Sequence, residues 1–156
     1  MNVAVFFNAK VTPAVKRSSP LFAKSILSGL GPFKNGPGQV CLIFTHGAQI
    51  KKINRKFLKK DRITDVIAFN YENEKGKEMP FGDIFVCVDR AKRQAEKFGH
   101  TFLKELLILS VHGALHLAGM DDNTPEKRLE MQKKAEKIVA ALKYQVEKST
   151  HRQCGK

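Results

Sequence analysis

Residues 102–117 form an almost continuous apolar run, and this run constrains the fold more than any other segment of the chain. When the run is wound as a helix, apolar side chains fall on nearly all faces, which predicts a helix that is buried on every side. Thr101 is placed to cap its first turn, and Gly119 is placed to end it, because helices commonly stop at a left-handed residue that glycine adopts without a steric penalty. We therefore expect this helix to be central in the fold.

Shorter patterns predict four strands and about five helices in all. Apolar and β-branched runs predict strands over residues 3–7, 40–45, 65–70 and 83–88. Further helices are predicted over 21–30 and 89–98, around Ile50, Ile53 and Phe57, and after Thr124-Pro125. We expect Ser19 to be the N-cap of the first helix and Pro20 its first residue, and Phe57 to face the core. The later helices gather towards the C-terminal side, which favours an α+β fold or a mixed sheet with helical layers.

Two histidines one helical turn apart, His112 and His116, interrupt the apolar run. Burying polar imidazoles in such a helix is costly unless a metal ion or another partner pairs with them. A turn at Gly119 brings Asp122 back towards both rings, with Asp121 as a second choice. Two nitrogen ligands and one oxygen ligand leave a fourth position open to water, which is typical of a catalytic zinc site. The alternative is that both histidines are ordinary core or surface residues at a common spacing.

Some metalloproteases carry two histidines at the same spacing, but they place a glutamate directly after the first histidine as general base. This chain has Gly113 at that position, and glycine cannot accept a proton. The sequence therefore disfavours peptide hydrolysis. Attack on a phosphodiester by a metal-bound water is the reaction that we expect instead.

The charge balance indicates an anionic partner. The chain has 28 Lys and Arg against 15 Asp and Glu, for a net charge of +13. One short segment concentrates seven cations, opposed only by Asp61: Lys51, Lys52, Arg55, Lys56, Lys59, Lys60 and Arg62. Like charges at this density repel one another, and RNA or DNA phosphates would relieve that repulsion. A solvated helix face is the alternative, and a membrane surface is disfavoured because no amphipathic segment with bulky aromatics is evident. The aromatic residues show no clear platform for base stacking.

The remaining composition is that of an intracellular globular domain. We expect one domain over residues 1–146 and a polar, flexible tail over 147–156. The three cysteines are widely spaced, which is typical of reduced thiols in the cytoplasm. We find no secretory signal and no apolar stretch long enough to cross a membrane.

Several of these segments, in the same order, resemble the YbeY family of bacterial endoribonucleases. The resemblance covers roughly residues 40–142 and is strongest at the motif that runs from His112 to Gly119. Supporting segments are Asn54 to Asp61, Thr64 to Phe69, Gly82-Asp83-Ile84, and Ala91 to Ala95 followed by Gly99-His100. The resemblance implies an α+β fold with a central four-stranded sheet and a metal site on the buried helix.

The resemblance also implies a metal-dependent, single-strand-specific endoribonuclease. Such an enzyme acts in 3′-end maturation of small-subunit (16S) rRNA and in ribosome quality control, so RNA and the ribosome or its small subunit are the implied partners. One Zn²⁺ per chain is the implied cofactor, with another divalent metal as the alternative. His112, His116 and Asp122 are the expected ligands.

The chain departs from the family pattern at two positions. The family usually has a third histidine where this chain has Asp122, and an arginine where this chain has Leu58. Aspartate is a competent zinc ligand, but its charge should leave the ion a weaker Lewis acid or favour harder ions.

The sequence identifies no certain general base. Asp65 and Asp83 lie near the ends of predicted strands and are candidates, although each is equally a turn or cap residue. Glu105 and His100 are candidates for orienting a ligating imidazole.

Two functions fit the sequence. The first is a metal-dependent endoribonuclease in which the seven cations hold the RNA. The second is a ribosome-assembly factor that binds RNA or protein without cleavage, with a metal ion that only ties the last two helices together.

Overall fold

The computed structural model describes residues 1–71 and 82–154, with side chains described as far as Leu142. At its centre is a four-stranded sheet in the order β1-β2-β4-β3. The strands are β1 (Asn2–Phe7), β2 (Gln39–Thr45), β3 (Val66–Asn70) and β4 (Gly82–Cys87). β1, β2 and β4 are parallel, and β3 pairs antiparallel with β4 at the edge of the sheet. This mixed sheet confirms the predicted fold class.

Six α-helices are present in the described part of the chain, one more than the sequence indicates. They are α1 (Pro13–Arg17), α2 (Ser19–Leu30), α3 (Gly47–Leu58), α4 (Val88–Phe98), α5 (Phe102–Leu117) and α6 (Pro125–Cys154), and a 3₁₀ helix (Gly31–Asn35) follows α2. Over the same residues, we find no helix that combines the length and the apolar character that a bilayer crossing needs. The side chains of the predicted tail, 147–156, lie outside the described residues, so the single domain with a flexible tail stays a prediction.

The two faces of the sheet are covered unequally, because side chains alternate between the faces along each strand. Ile84 and Val86 of β4 face the main core, which β4 builds with α2, α5 and α6. Cys87 faces the other way, into a smaller cluster with Ile50 and Ile53 of α3. Helices α5 and α3 therefore lie on opposite faces of the sheet.

Helix α5 is central, as predicted, and contacts α2, α4, α6 and two strands. Gly113 lies so close to β4 that a Cβ atom there would be 2.4 Å from Cγ2 of Ile84. On another side of the helix, a Cβ atom on Gly29 would be 2.7 Å from Cβ of Ala114. Both glycines thus permit close packing, and a protease-type glutamate at position 113 has no room.

Three local predictions were wrong. The helix α1 was missed, because five residues offer too little periodicity; Thr12 caps it by accepting a hydrogen bond from the backbone N–H of Val15 at 3.4 Å. As a consequence Ser18 rather than Ser19 is the N-cap of α2, and the hydroxyl of Ser19 instead donates to the carbonyl of Lys16 at 2.7 Å. Phe57 does not face the core: it is 60% exposed, although Ile50 and Ile53 on the same helix are buried as predicted.

We predict that Gly113→Ala lowers the free energy of unfolding by about 1–3 kcal/mol, because the added methyl overpacks the contact with Ile84. Denaturant unfolding measures this loss. In an Ile84→Ala background the same substitution should cost much less, because its steric partner is gone. An equal loss of unfolding free energy in the two backgrounds would show that the contact with Ile84 is not the cause.

Candidate metal centre and cationic surface

The chain turns sharply at the C-terminal end of α5, as the position of Gly119 predicts. Gly119 is left-handed, with φ of 100°. Its N–H donates to the carbonyl of His116, and the N–H of Met120 donates to the carbonyl of Leu115. These two bonds form a Schellman motif, which satisfies the last helical carbonyls and reverses the chain. Asp122 is thereby returned to the end of α5.

The structure brings His112, His116 and Asp122 together. Oδ2 of Asp122 lies 3.9 Å from Nε2 of His112 and 3.7 Å from Nε2 of His116. One ligand atom from each residue can be chosen so that all three lie within 4.8 Å of one another. Zinc-to-ligand bonds of about 2.0–2.2 Å at tetrahedral angles separate neighbouring ligand atoms by roughly 3.4 Å. The three side chains therefore fit a divalent metal after small shifts of the ligand atoms.

The ring of His116 is held by the backbone of the turn. Its Nδ1 lies 3.2 Å from the carbonyl oxygen of Met120. Because a carbonyl can only accept, Nδ1 is the donor of this hydrogen bond, and Nε2 is the ring nitrogen that faces Asp122. A hydrogen bond of this kind fixes the orientation of a ligating imidazole. Sequence reasoning missed this contact, because a backbone carbonyl leaves no trace in residue identity.

His112 is held in the neutral form that a metal requires. Burial lowers the pKa of His112, and the neighbouring His116 lowers it further. The charges of Asp65 and Asp122 oppose this shift only in part. A neutral imidazole binds a divalent ion without first releasing a proton.

The two adjacent aspartates have separate partners. The carboxylate of Asp121 lies 3.1 Å from Nζ of Lys127 and accepts from the backbone N–H of Asn123. These contacts with Lys127 and Asn123 lower the pKa of Asp121. Asp121 thus belongs to the start of α6, and only Asp122 joins the histidines.

The other predicted acidic residues lie in different places. Asp65 precedes β3 and accepts from the backbone N–H of Val66 and from Gln94, and its charge raises the pKa of His112. Asp83 lies on the opposite face of the sheet from Ile84 and α5, where it accepts from the hydroxyl of Tyr71 at 2.9 Å. The structure therefore leaves Asp65 near the metal centre and does not bring Asp83 to it.

Glu105 and His100 pair with each other near the start of α5 instead of with a ligating histidine. Glu105 is 3% exposed, and burial raises the pKa of its carboxyl group. The facing His100 partly opposes this rise, and the charges of Asp65 and Glu136 add to it. The pair anchors the N-terminal end of the helix that carries the centre.

All seven cations of the basic segment are exposed, and they form what we call the cationic surface: Lys51, Lys52, Arg55, Lys56, Lys59, Lys60 and Arg62. Within the described residues, only Lys51 has a carboxylate within 4.0 Å, that of Asp61. The buried side chain of Asn54 donates to the carbonyl of Arg62 at 3.0 Å and so ties the end of this segment to α3. Leu58, where the family pattern has arginine, is 46% exposed on the same surface.

Comparison with known proteins shows which family the chain is similar to. A sequence model of the family described as Endoribonuclease YbeY matches residues 18–143. The chain is 48% identical over 144 residues to the endoribonuclease YbeY of Elusimicrobium minutum, which covers 91% of this chain and 100% of that protein. It is 36% identical over 142 residues to a Bacillus cereus endoribonuclease YbeY, covering 84% and 91% of the two chains. The solution structure of TM1509 from Thermotoga maritima superposes with a TM-score of 0.58 at 28% identity over 88% of each chain.

We predict that the buried Glu105 makes stability fall as pH rises. Its folded pKa lies above its unfolded value of about 4.5, so the folded state holds this proton more tightly. The stabilisation is complete below pH of about 4.5 and is lost as pH rises through the folded pKa. The unfolding free energy of the wild type minus that of Glu105→Gln should therefore decrease with pH above this value in urea titrations. If this free-energy difference between the wild type and Glu105→Gln does not change with pH, the prediction is wrong.

Proposed function

Because the chain belongs to the endoribonuclease YbeY family, we propose that it hydrolyses single-stranded RNA with a divalent metal ion held by His112, His116 and Asp122. The observation that carries this proposal is the convergence of these three side chains at the turn after α5. Each of them lies within the part of the chain that the family matches.

The side chains at the centre have distinct roles in this proposal. His112 and His116 each offer one ring nitrogen, and Asp122 offers one carboxylate oxygen. A divalent metal ion held by these three side chains would polarise a phosphoryl oxygen and lower the pKa of water, which is the chemistry that phosphodiester hydrolysis needs. The half-exposed Asp122 marks the side from which a substrate phosphate approaches, since both histidine rings are more deeply buried.

Zinc is the ion that we propose. Two imidazole nitrogens and one carboxylate oxygen, with a position left for solvent, form a donor set typical of catalytic zinc. A third histidine would add a neutral ligand, whereas Asp122 adds a negative charge. The charge of Asp122 makes a harder ion such as Mn²⁺ the competing occupant.

Asp65 is the residue that we propose as proton acceptor, and the cationic surface is the proposed holder of the RNA. Asp65 directly precedes β3, accepts a hydrogen bond from Gln94, and its charge raises the pKa of His112. The seven cations take over the phosphate contacts that an arginine at position 58 would otherwise supply.

The substrate we propose is rRNA near the 3′ end of the small-subunit (16S) species, with roles in its maturation and in ribosome quality control. The ribosome or its small subunit is then the partner and the cytoplasm the location, in keeping with the free thiols of Cys41 and Cys87.

We predict that Asp122→Ala weakens zinc binding by more than about 100-fold, since loss of even a partner behind a ligand costs roughly 10–100-fold. Competition with a chelator measures the affinity, and cleavage of an unstructured RNA should fall together with the metal content. The matched control is Asp121→Ala, which removes the neighbouring carboxylate and should retain both properties.

The same experiment separates the two candidate functions. Cleavage that survives complete metal removal would show the proposed mechanism to be wrong. A chelator that lowers the melting temperature of a protein with no cleavage at any metal content would favour the non-catalytic assembly factor.

We predict that Lys52→Gln with Lys60→Gln weakens RNA binding mainly because fewer counterions are released on binding. The slope of log affinity against log salt should decrease in magnitude by about 0.7 for each phosphate that the variant no longer neutralises. Lys133→Gln with Lys134→Gln removes the same charge from the exposed face of α6 and should leave the slope unchanged. Equal effects of the two pairs would show that net charge, not the cationic surface, determines binding.

A further inference from the structure

Phe57 is a large apolar side chain exposed within a cationic surface. It is 60% exposed at the last turn of α3, and the adjacent Leu58 is 46% exposed. Single exposed apolar residues are common on proteins. Here two occur in succession, although α3 has an apolar face that buries Ile50 and Ile53. Their exposure is therefore not explained by the packing of α3 on the sheet.

The ring of Phe57 is held in place while one of its faces opens to solvent. It packs edge-to-face on Phe69 of β3, with centroids 5.4 Å apart, and Phe69 packs in the same way on Phe85. Nζ of the exposed Lys56 lies 5.3 Å from the centroid of the Phe57 ring. An ammonium group needs water around it, so the ring face that it covers is accessible from solvent.

The charges around this ring fit one kind of occupant. Cations precede and follow Phe57 and Leu58 along the chain, from Arg55 and Lys56 to Lys59 and Lys60. An aromatic ring among lysines and arginines is the combination that binds single-stranded nucleic acid, because the cations hold phosphates and the ring stacks on a base. A base paired within a duplex does not expose its face, so the occupant is an unpaired base.

The position of Phe57 relates it to the metal centre through the edge strand β3. Phe69 lies under Phe57 on one face of the sheet. The next residue, Asn70, points to the other face and donates to the carbonyl of Leu117, which follows His116. The ring and the metal centre thus flank the same end of the same strand from opposite faces.

We propose that Phe57 stacks on an unpaired base of the RNA, while the neighbouring part of that RNA passes the edge of β3 to reach the metal centre. On binding, the ammonium of Lys56 moves from the ring to a phosphate. The inference rests on the proposed function for its substrate, and it adds a base contact and a path to the phosphate contacts already proposed.

Binding of a short oligoadenylate, measured by fluorescence anisotropy with the metal-loaded protein, tests this stacking. The integrity of the RNA is checked on a gel after each titration. Phe57→Leu should weaken binding by about tenfold or more, because removal of one base–aromatic stack has this effect. Phe57→Tyr keeps the ring and should bind as the wild type does, which separates stacking from any loss of folding. The slope of affinity against salt should be the same for all three proteins, because every phosphate contact remains.

The matched control is Phe98→Leu. Phe98 is also 60% exposed at the end of a helix, with Nζ of Lys97 5.8 Å from its ring centroid, but it lies outside the cationic surface. This variant should keep wild-type affinity. A second probe, an oligonucleotide of the same length in which abasic sites replace the bases, should bind the wild type and Phe57→Leu equally.

The outcomes separate this inference from the proposed function. If Phe57→Leu binds oligoadenylate as the wild type does, or loses no more affinity than Phe98→Leu, the inference is overturned, even where the wild type cleaves RNA. The same holds if Phe57→Leu alters only association with a protein partner. If Phe57→Leu loses affinity for the oligoadenylate, but neither the wild type nor any variant cleaves RNA at any metal content, the inference stands and the proposed function fails.

Discussion

The contact between Gly113 and Ile84 is the constraint on which the metal centre depends. Successive helical residues are rotated by about 100° around the helix axis. Seen down that axis, Gly113 points at the sheet, and His112 and His116 both lie on the same side of Gly113. Without a side chain at position 113, α5 lies directly on β4, and the two histidines reach the rim of the sheet instead of its middle. The same helix can then fill the core and still present polar groups that are 16% and 28% exposed.

This placement also explains why the two histidines are suited to a metal ion. At the rim they are buried enough for desolvation to favour the neutral ring of His112. The turn at Gly119 adds an orienting carbonyl for His116 and returns a carboxylate to the cluster. With Asp122 in place of a neutral third imidazole, the three proposed ligands together carry one negative charge. In a chain with a net charge of +13, that local charge would help the proposed centre to retain a divalent cation.

Much of this arrangement could be predicted from the sequence, because the relevant signals are local. The spacing of His112 and His116, the glycine stop and the apolar run predict the helix, its burial and the direction of the following turn. The exposure of Phe57 was not predictable in this way. Periodicity identifies the face of a helix, but it does not show where the layer beneath that face ends, and Phe57 lies over Phe69 of β3, the strand at which the sheet ends. By contrast, the position of Asp83 was available in the pattern: it alternates with Ile84, so a carboxylate there must face away from the core.

The unequal covering of the sheet would give the proposed enzyme a physical reason to prefer unpaired RNA. The cationic surface with Phe57 lies on the thinly covered face, and the metal centre lies on the thickly covered face, so a substrate that contacts both must bend around the edge strand β3. A single strand can bend within a few nucleotides, because its bases are free to unstack. A stiff duplex bends over such a short distance only at a cost of several kcal/mol by analogy with DNA, and its bases are already stacked and paired. Selectivity for single strands would then follow from the position of the two surfaces on opposite sides of one strand, and it would require no residue that recognises a particular base.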